Sequence, residues 1–429
     1  MNRTNRREFL GNTAAAAAAI SVLGQARPAR SLESPAEKLV VAVMGTNGRG
    51  AALARGFAAL DGSAVAYICD VDEQAIGKGV EAVEAAQRPA PGTLTDFRRA
   101  LDDPAVDVLA IAAPDHWHAP ATILACAAGK HVYVEKPASH NGLEGELMVA
   151  AARKHQRVVQ LGTQRRSSPG TIEAIGRLHR GEIGRVLFAR GWINSTRPSI
   201  GRGRAVSPPA HLDYALWQGP APDRPYRDNV VHYHWHWFWH WGTGELGNNG
   251  IHALDICRWG LGVDYPKQVV CGGGKFHFDD DQETPDTQIA TFNFGDKAIN
   301  WEHRTWSPRG FEGDSFGVAF YGEAGAIVLT RGEYQVFDMQ GRQTAQGSAA
   351  ASDADHLNDF LDAIRSGRRP NADIEEGVKS TALCHLGNIA YRTGRTVNFD
   401  PAARALTGDE EAAALWTREY RAGWEPTPP

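Results

Sequence analysis

Three stretches of the sequence combine residue types that transfer protons or bind polar ligands. Residues 135–137 read EKP, with Lys136 between an acid and a proline, and residues 250–255 read GIHALD, with His252 and Asp255 three positions apart. A lysine or a histidine acts as a general acid or base when its surroundings bring its pKa close to neutral pH. Residues 232–241 read HYHWHWFWHW, four histidines and four tryptophans among ten residues. What these stretches do depends on the elements that position them.

A glycine-rich stretch, GTNGRG at residues 45–50, directly follows an apolar strand-like run and opens a helix-like one. This order of strand, turn and helix is typical of dinucleotide-binding fingerprints. Gly45 allows the tight turn, Gly50 allows close packing of helix on strand, and the free amides at the helix start can bind a pyrophosphate. Asn47 replaces the middle glycine of the pattern, with Gly48 beside it. Because Asn tolerates left-handed backbone, we expect the turn to be retained.

Asp70 ends the second predicted strand, 20 residues beyond Gly50. An acid at this position accepts hydrogen bonds from the adenosine ribose hydroxyls and disfavours a 2′-phosphate. The sequence therefore predicts NAD as the cofactor, with NADP the less favoured alternative.

Further polar side chains follow the fourth, fifth and sixth predicted strands. AAPDHWHA at 112–119 follows the fourth, EKP the fifth, and Gln164 and Arg165 the sixth. Because ligands of open parallel sheets bind at the carboxyl ends of strands, Lys136 is well placed for a site, although a surface lysine at a strand end has the same pattern. We expect Pro137 to form a cis peptide bond. The predicted cofactor contacts are Gly45, Asn47, Gly48, Arg49, Gly50, Asp70, Pro114, His116, His118, Glu135, Lys136 and Gln164.

The elements that position these residues divide the chain into regions of different pattern. Residues 36–162 alternate apolar strands with helices of 10–15 residues, which predicts a doubly wound α/β domain with a parallel sheet. Residues 163–370 contain strand-like runs with short turns and one helix near 250–262, which indicates a mostly antiparallel sheet. The segment 194–245 has little periodicity, and loops of that length are usually functional. Residues 371–429 are predicted to form C-terminal helices and a tail.

The succession of glycine turn, APDHWH, EKP and GELGNNGIHALDICRW resembles the Gfo/Idh/MocA oxidoreductases, and the resemblance covers nearly all of the chain after residue 30. It implies a Rossmann domain joined to an α+β domain with an open-faced β-sheet. It also implies hydride transfer between nicotinamide and a hydroxyl-bearing carbon of a sugar or cyclitol, and assembly into a homo-oligomer. By this resemblance Lys136 orients the reacting hydroxyl and assists its deprotonation, and His252 is the general acid/base. Asp255 binds substrate or steadies His252.

One position departs from the family pattern. Members often carry an aspartate four residues before the histidine, where this chain has Asn248. A carboxylate there would raise the pKa of His252, whereas a neutral amide can only orient the ring. We therefore expect His252 to be less basic here, or Lys136 to take a larger share of proton transfer.

The histidine and tryptophan run has three interpretations. His232, His234 and His236 would share one face of a strand, which with His240 is a possible zinc spacing, but oxidation with a nicotinamide needs no metal. Tryptophans also fill cores. The interpretation that we favour is a sugar-facing aromatic wall, because flat rings contact the C–H face of sugars. The predicted substrate contacts are Arg165, Trp239, Trp241, Asn248, His252 and Asp255, and no metal is predicted.

The N-terminus and the composition bear on location and partners. Residues 1–30 contain Arg6 and Arg7 before an alanine-rich apolar run too short to span a bilayer, the layout of a twin-arginine export signal. The net charge of −5 gives no basic surface for nucleic acid, and the five cysteines lack metal or disulfide spacing. After signal removal we expect a periplasmic protein with no membrane span.

The sequence as a whole predicts an exported NAD-dependent sugar oxidoreductase. Since no dependable NAD pool exists outside the cytoplasm, we expect the cofactor to be held tightly and reoxidised on the enzyme. The alternatives are an NAD-dependent glycoside hydrolase of the same family, which oxidises and then eliminates, and a carbohydrate-binding protein without catalysis.

Overall fold

The computed structural model of the protein describes residues 38–426. The predicted export signal in residues 1–30 lies outside this range. The strands are β1 Leu39–Met44, β2 Ser63–Cys69, β3 Gly92–Leu94, β4 Val108–Ile111, β5 His131–Val134, β6 Val159–Leu161, β7 Val186–Asn194, β8 Gln268–Gly274, β9 Thr287–Asn293, β10 Ala298–Arg304, β11 Phe316–Gly322, β12 Gly325–Leu329, β13 Glu333–Asp338, β14 Gln343–Ser348, β15 Val397–Asp400 and β16 Ala405–Thr407.

The helices are α1 Arg49–Ala59, α2 Glu73–Glu84, α3 Arg98–Leu101, α4 Asp115–Ala127, α5 Gly142–Lys154, α6 Pro169–His179, α7 Tyr214–Gln218, α8 Ile251–Leu261, α9 Asp353–Ser366, α10 Ile374–Thr393 and α11 Glu410–Ala414. Short 3-10 turns occur at Gln164–Ser167, His234–Trp237 and Phe311–Gly313, and a π-helical turn at Leu246–Gly250 leads into α8. None of the helices between residues 38 and 426 combines the length and the apolar character needed to cross a membrane.

The first six strands form one parallel sheet in the order β3-β2-β1-β4-β5-β6. The strand order reverses between β1 and β4, so the loops after these two strands diverge and leave a crevice at the carboxyl edge of the sheet. The central strands β1 and β4 are apolar throughout, as is typical of a parallel sheet covered by helices on both faces. This confirms the predicted doubly wound α/β domain.

A ten-stranded sheet has the order β14-β13-β12-β11-β7-β10-β9-β8-β15-β16. Only β7 and β10 pair in parallel, and the other neighbours are antiparallel. Along β9 the residues alternate, with Ala290 and Phe292 buried and Ile289 and Thr291 exposed. One face therefore packs on helices such as α8 while the other lies open, which confirms the second, mostly antiparallel domain.

The C-terminal third differs from the predicted division at residue 370. Helix α9, which the prediction placed in the sheet domain, packs on the Rossmann domain through Leu357, Phe360 and Leu361, in one core with Phe57. Strands β15 and β16, which were expected as part of a helical tail, extend the edge of the ten-stranded sheet. Helix periodicity alone does not show which of two cores an amphipathic helix covers, and this is why the boundary differs.

The irregular segment between β7 and α8 crosses to the Rossmann domain. Its backbone pairs with the loop after β2: the amide of Asp213 donates to the Val71 carbonyl at 2.9 Å, and the amide of Glu73 donates to the His211 carbonyl at 3.0 Å. Its aromatic side chains form a core of their own that includes Trp217, which is 3% exposed. The segment is therefore packed against the nucleotide end of the parallel sheet.

Candidate active site

A cleft at the carboxyl edge of the parallel sheet is lined jointly by the Rossmann loops and by the segment between β7 and α8. The Rossmann side contributes Gly45, Asn47, Gly48, Arg49, Asp70, Pro114, Asp115, His118, Glu135 and Lys136. The other side contributes Trp217, His232, Tyr233, Trp235, His236 and Asn248. The cleft thus brings the glycine turn and Lys136 into one cavity, as the sequence predicted.

The glycine turn has the backbone geometry that a pyrophosphate needs. Gly45 has a φ of +82°, and a Cβ there would lie 2.6 Å from the Ala113 nitrogen. A Cβ on Gly50 would lie 1.7 Å from the Gly45 carbonyl oxygen, whereas one on Gly48 would meet nothing within 4 Å. Gly48 is the N-cap of α1, and no side chain caps this helix within the described structure. The helix start therefore has space beside Gly48 and backbone amides that no side chain caps, which fits an anionic group.

Asp70 stands beside this turn. Its carboxylate accepts hydrogen bonds from the amides of Thr46, at 2.6 Å, and Asp72, at 3.0 Å. Burial raises the pKa of Asp70, and these two amides oppose the rise. A carboxylate has about four acceptor positions, so further ones remain for ribose hydroxyls. The donor and acceptor set therefore fits the adenosine half of a dinucleotide.

Lys136 lies at the other end of the cleft, directly after β5, and its bond to Pro137 is cis, as predicted. Its Nζ donates to both oxygens of Asn248, the backbone carbonyl at 2.6 Å and Oδ1 at 3.0 Å. Burial lowers the pKa of Lys136, and the charges of Glu135 and Asp115 oppose the decrease. A lysine held in this way has a larger fraction of uncharged amine than one in water.

His252 lies in the first turn of α8 and is half-buried, although it is not among the residues that line the cleft. Burial lowers its pKa well below the ordinary value, and the nearby charges of Lys136 and Arg165 lower it further. The expected link from Asn248 to this imidazole is replaced by the contact between Asn248 and Lys136. His252 is therefore the weaker base of the two that were predicted.

Asp255 does not face the cleft. Its carboxylate accepts two hydrogen bonds from Arg166, at 2.7 and 2.9 Å, and one from Ser380 at 2.6 Å. Both members of the ion pair are buried, Asp255 being 1% and Arg166 5% exposed. The predicted role in substrate binding is wrong for this geometry, because a buried carboxylate with an arginine beside it is held by that arginine.

Several predicted cofactor contacts differ in role. His116 is buried with Nε2 on the Trp217 carbonyl at 3.0 Å, and burial lowers its pKa to about 3, so it belongs to the packing behind the cleft. His118 lines the cleft, with its ring nitrogens on the carbonyls of Pro137 and Ala113. Gln164 does not line the cleft. With its side-chain amide oriented so that the oxygen faces Arg49, that oxygen accepts a hydrogen bond from the guanidinium at 2.7 Å.

Glu135 and Arg49 hold each other in the cleft wall. Arg49 donates through Nε to Glu135 at 2.7 Å and through both Nη atoms to Asp353 of α9. Arg165 stacks on Phe316 with its guanidinium carbon 4.4 Å from the ring centroid and does not line the cleft. In place of the expected contact with substrate, Arg165 packs on the first residue of β11, an interior strand of the ten-stranded sheet.

The aromatic run folds as a 3-10 turn rather than a strand, and this changes which rings face the cleft. Trp239 lies near Tyr391 and Arg392, and Trp241 packs in the core beside Trp217. The two predicted substrate contacts Trp239 and Trp241 are thus outside the cleft. The residues of the run that line it are His232, Tyr233, Trp235 and His236.

The four histidines of the run have separate partners. His232 contacts Asp72 at 2.7 Å, and the other three bond the backbone carbonyls of Asn229, Tyr233 and Pro222. Within residues 38–426 no three histidine, cysteine or acidic side chains come together as metal ligands would. The dense spacing in the sequence is therefore not a shared coordination site.

Two family models match the chain. Residues 39–163 match the Gfo/Idh/MocA model described as "Oxidoreductase family, NAD-binding Rossmann fold", and residues 221–399 match its "C-terminal alpha/beta domain". The chain belongs to the Gfo/Idh/MocA oxidoreductase family. Its cofactor is NAD, in agreement with the acid at position 70 and the uncapped helix beside the glycine turn.

Two curated relatives illustrate the range of the Gfo/Idh/MocA family around this chain. Levoglucosan dehydrogenase of Pseudarthrobacter phenanthrenivorans is 37% identical over 182 residues, 42% of this chain and 40% of the relative. A "Glycosyl hydrolase family 109 protein" of Saccharopolyspora erythraea is 30% identical over 210 residues, 44% of this chain and 46% of the relative. The chain thus matches less than half the length of either protein.

Solved structures of other proteins share the fold. A levoglucosan dehydrogenase in complex with NADH and levoglucosan superposes with a TM-score of 0.66 at 19% identity, covering 84% of this chain and 99% of that one. An aldose–aldose oxidoreductase from Caulobacter crescentus superposes with a TM-score of 0.64 at 20% identity, covering 85% and 100%. At identities of 20% and 19%, the likeness to these two structures shows a shared fold.

Some cleft residues of this family member were not predicted as contacts. They include Asp115, Trp217 and four members of the run that was interpreted as an aromatic wall without being named as contacts, His232, Tyr233, Trp235 and His236. Asp115 was within reach of sequence reasoning, since it begins α4 directly after the loop that follows the fourth strand. The aromatic residues had a signal in their density, but the turn that decides which of them face inward has no local pattern.

Proposed function

We propose that this protein is an NAD-dependent oxidoreductase that oxidises a hydroxyl-bearing carbon of a sugar or cyclitol. The observation that carries the proposal is the position of Lys136, at the far end of the cleft that begins at the glycine turn, with Nζ fixed by Asn248. When bound, NAD supplies the acceptor for the hydrogen and two electrons that leave the carbon. The protein then has to remove the hydroxyl proton.

Lys136 is arranged to take that proton. An uncharged amine has two hydrogens and one lone pair, and the two oxygens of Asn248 accept both hydrogens. The lone pair is then left for the substrate hydroxyl, whose proton moves to Nζ as the carbonyl forms. Burial, which lowers the pKa of Lys136, increases the fraction of amine that can do this.

The aromatic residues on the other side of the cleft support a carbohydrate substrate. The rings of Trp235 and His236 stack with centroids 3.6 Å apart, and Tyr233 lies 4.7 Å from His236. Burial lowers the pKa of His236 to about 3, and the charge of Lys136 contributes to this shift. Flat, uncharged rings close to Lys136 suit the C–H face of a sugar, with hydroxyls directed to polar tips.

We further propose that the protein is exported by the twin-arginine route and retains its NAD. The support for export is the pair Arg6 and Arg7 before an alanine-rich run. The support for retention is the segment between β7 and α8, which crosses the nucleotide end: Asp72 accepts from His232 at 2.7 Å and from His211 at 3.1 Å. His232→Ala removes one of these contacts and should increase the rate of NAD dissociation about tenfold. Stopped-flow displacement of bound NAD measures this rate, and His179→Ala, at an exposed position, is the control. An unchanged rate in His232→Ala would argue against a role of the segment in retention.

A homo-oligomer is also proposed. Its support is the open face of the ten-stranded sheet, which exposes Val270, Ile289 and Tyr321. Light scattering after size exclusion gives the mass of the assembly, and a monomer at micromolar concentration would contradict the proposal.

A second candidate function is NAD-dependent glycoside hydrolysis, favoured by the relative that is described as a glycosyl hydrolase. In that reaction, oxidation of one ring carbon acidifies the neighbouring C–H, and elimination of the glycosidic substituent follows. Both functions use the same cleft and the same proton acceptor. They differ in the product, because the oxidoreductase leaves an oxidised sugar or cyclitol, whereas the hydrolase releases the glycosidic substituent and returns the bound cofactor to NAD.

The experiment that separates them combines two products. Purified protein is incubated with free sugars and with aryl glycosides, and absorbance at 340 nm and released phenol are followed. Stoichiometric reduction of the bound NAD by a single free sugar supports the oxidoreductase, whereas phenol release without net NADH supports the hydrolase. If protein shown to contain NAD gives neither NADH nor phenol with any substrate, an enzymatic function is contradicted, and carbohydrate binding without catalysis is the remaining alternative.

A further inference from the structure

A buried glutamate stands one helical turn before Asn248. Glu245 is 1% exposed, and its carboxylate accepts from the side-chain amides of Asn249, at 2.7 Å, and Asn248, at 3.4 Å. Arg197 donates to the same carboxylate at 2.9 and 3.1 Å. Glu245 does not itself touch Lys136, and it does not line the cleft.

The contact with Glu245 decides which way the Asn248 amide points. A carboxylate only accepts hydrogen bonds, so it favours the orientation in which Nδ2 of Asn248 faces Glu245. Oδ1 then faces the opposite way, toward Nζ of Lys136 at 3.0 Å. The 3.4 Å separation is long for a hydrogen bond, so this contact orients the amide more than it stabilises the fold.

Glu245 is also one of the few charged groups around Lys136. Glu135, Asp115 and Arg197 also act on the pKa of Lys136, and the imidazoles of His236 and His252 are close enough for the charge of this lysine to lower their own pKa values. Glu135 accepts from Arg49, Asp115 accepts from Thr243 Oγ1 at 2.6 Å, and Glu245 itself pairs with Arg197. Glu245 is the carboxylate joined to Lys136 through a single amide side chain.

We propose that Glu245 is a positioning residue that acts on Lys136 through Asn248. It keeps Oδ1 of Asn248 toward Nζ, and its charge reaches the amine through that polarised amide. This role rests on the proposed function, in which Lys136 takes the hydroxyl proton. It adds a second-domain carboxylate that sets both the direction and the protonation of the lysine.

The test measures the protonation of Lys136 without turnover. The full-length protein is treated with cyanate, which carbamylates uncharged amines, and modification of Lys136 is followed by peptide mass spectrometry from about pH 6 to pH 10. The four proteins are wild type, Glu245→Gln, Asn248→Asp and the double variant that moves the carboxylate from 245 to 248. Glu144→Gln, another buried glutamate with no contact to Lys136, is the matched control.

The proposal predicts opposite shifts for the two single variants. Removing the charge at 245 lowers the pH midpoint of labelling by about half a unit or more, and a carboxylate at 248 raises it by about one unit. The double variant returns the midpoint to the wild-type value or above it, and Glu144→Gln leaves it unchanged. A midpoint in Glu245→Gln equal to that of wild type, or a double variant that behaves like Glu245→Gln, overturns the proposal.

Two additional measurements keep the test informative. If Glu245→Gln does not fold, Glu245→Asp keeps the pair with Arg197 but withdraws the carboxylate from Asn248, and its midpoint should also fall; an unchanged midpoint counts against the proposal. With an active substrate, the pH profile of kcat/KM should shift in parallel with labelling. Because labelling needs no substrate, an inactive wild type would refute the proposed function while leaving the result for Glu245 readable.

Discussion

The two ends of the cleft are built in different ways. The nucleotide end is made of backbone: a left-handed Gly45, a helix start without a side-chain cap, and a carboxylate held by two amides. The Lys136 end is made of side chains from both domains, with Asn248 supplied by a π-helical turn far along the chain. The backbone site tolerates no added atom at Gly45 or Gly50, whereas a site made between domains depends on partners that hold each side chain in place.

The largest effect is expected at the end made of side chains. Lys136→Met should lower kcat at least about 1000-fold, since the proton acceptor is lost, while NAD binding is retained. Steady-state rates and NAD titration by fluorescence measure the two quantities. Lys154→Met, at an exposed position, is the control. Turnover within tenfold of wild type would mean that Lys136 is not the proton acceptor, and the proposed difference between the two ends of the cleft would then be wrong.

Asp255 and His252 of α8 are expected to differ in role, Asp255 in the stability of the fold and His252 in catalysis. Asp255→Asn leaves the buried Arg166 without a charged partner and should lower the free energy of unfolding by about 3 kcal/mol or more. His252→Asn, one turn earlier, should leave stability nearly unchanged and reduce kcat. Urea denaturation and steady-state kinetics of both variants distinguish these outcomes. An Asp255→Asn protein that is as stable as wild type but inactive would mean that Asp255 takes part in the reaction or in substrate binding.

The nucleotide end is tested by adding one carbon. Gly50→Ala places a Cβ 1.7 Å from the Gly45 carbonyl oxygen, so the turn has to shift, and we expect NAD affinity to fall about 100-fold. Gly77→Ala in α2, where a Cβ meets nothing within 4 Å, should retain affinity and stabilise the fold by up to about 1 kcal/mol. Calorimetric titration with NAD gives both affinities. Equal affinities in the two variants would mean that the glycine turn does not bind the dinucleotide.

The smallest effect concerns the contact that joins the two sides of the cleft at Asp72. Burial raises the pKa of Asp72, but the hydrogen bonds from His232 and from two backbone amides outweigh it and leave the pKa below its ordinary 3.8. A carboxylate with a lowered folded-state pKa stabilises the fold above the unfolded value, and this stabilisation is lost as the pH falls through the folded pKa.

Asp72→Asn therefore should be less stable than wild type near pH 6, and the difference should disappear as the pH falls below about 3.8. Asparagine still caps α2, so the substitution removes the charge and keeps the cap. Thermal unfolding at a series of pH values gives the difference. A difference that is constant with pH would mean that the charge of Asp72 contributes nothing.

The contrast between the two ends also explains what the sequence could predict. The parallel sheet, the glycine turn, Asp70 and Lys136 all lie within one alternating pattern of strands and helices, so their proximity follows from topology. The residues 232–241 could be recognised as unusual, but a 3-10 turn, rather than a strand, decides that Trp235 faces the cleft and Trp241 the core. Asp255 was misassigned because its partner Arg166 is distant in sequence. Glu245 was not predicted because its contact with Asn248 is seen only in the folded structure.

Deuterium transfer tests the central claim most directly. Desalted wild-type protein and Lys136→Met, each shown to contain NAD, are incubated with sugars and cyclitols that are deuterated at every ring carbon. The dinucleotide is then extracted, and its mass is measured by mass spectrometry. We expect one deuterium in the nicotinamide from wild type with at least one of these substrates, and none from Lys136→Met. No deuterium in wild type with any of them, or equal labelling in both proteins, would contradict it.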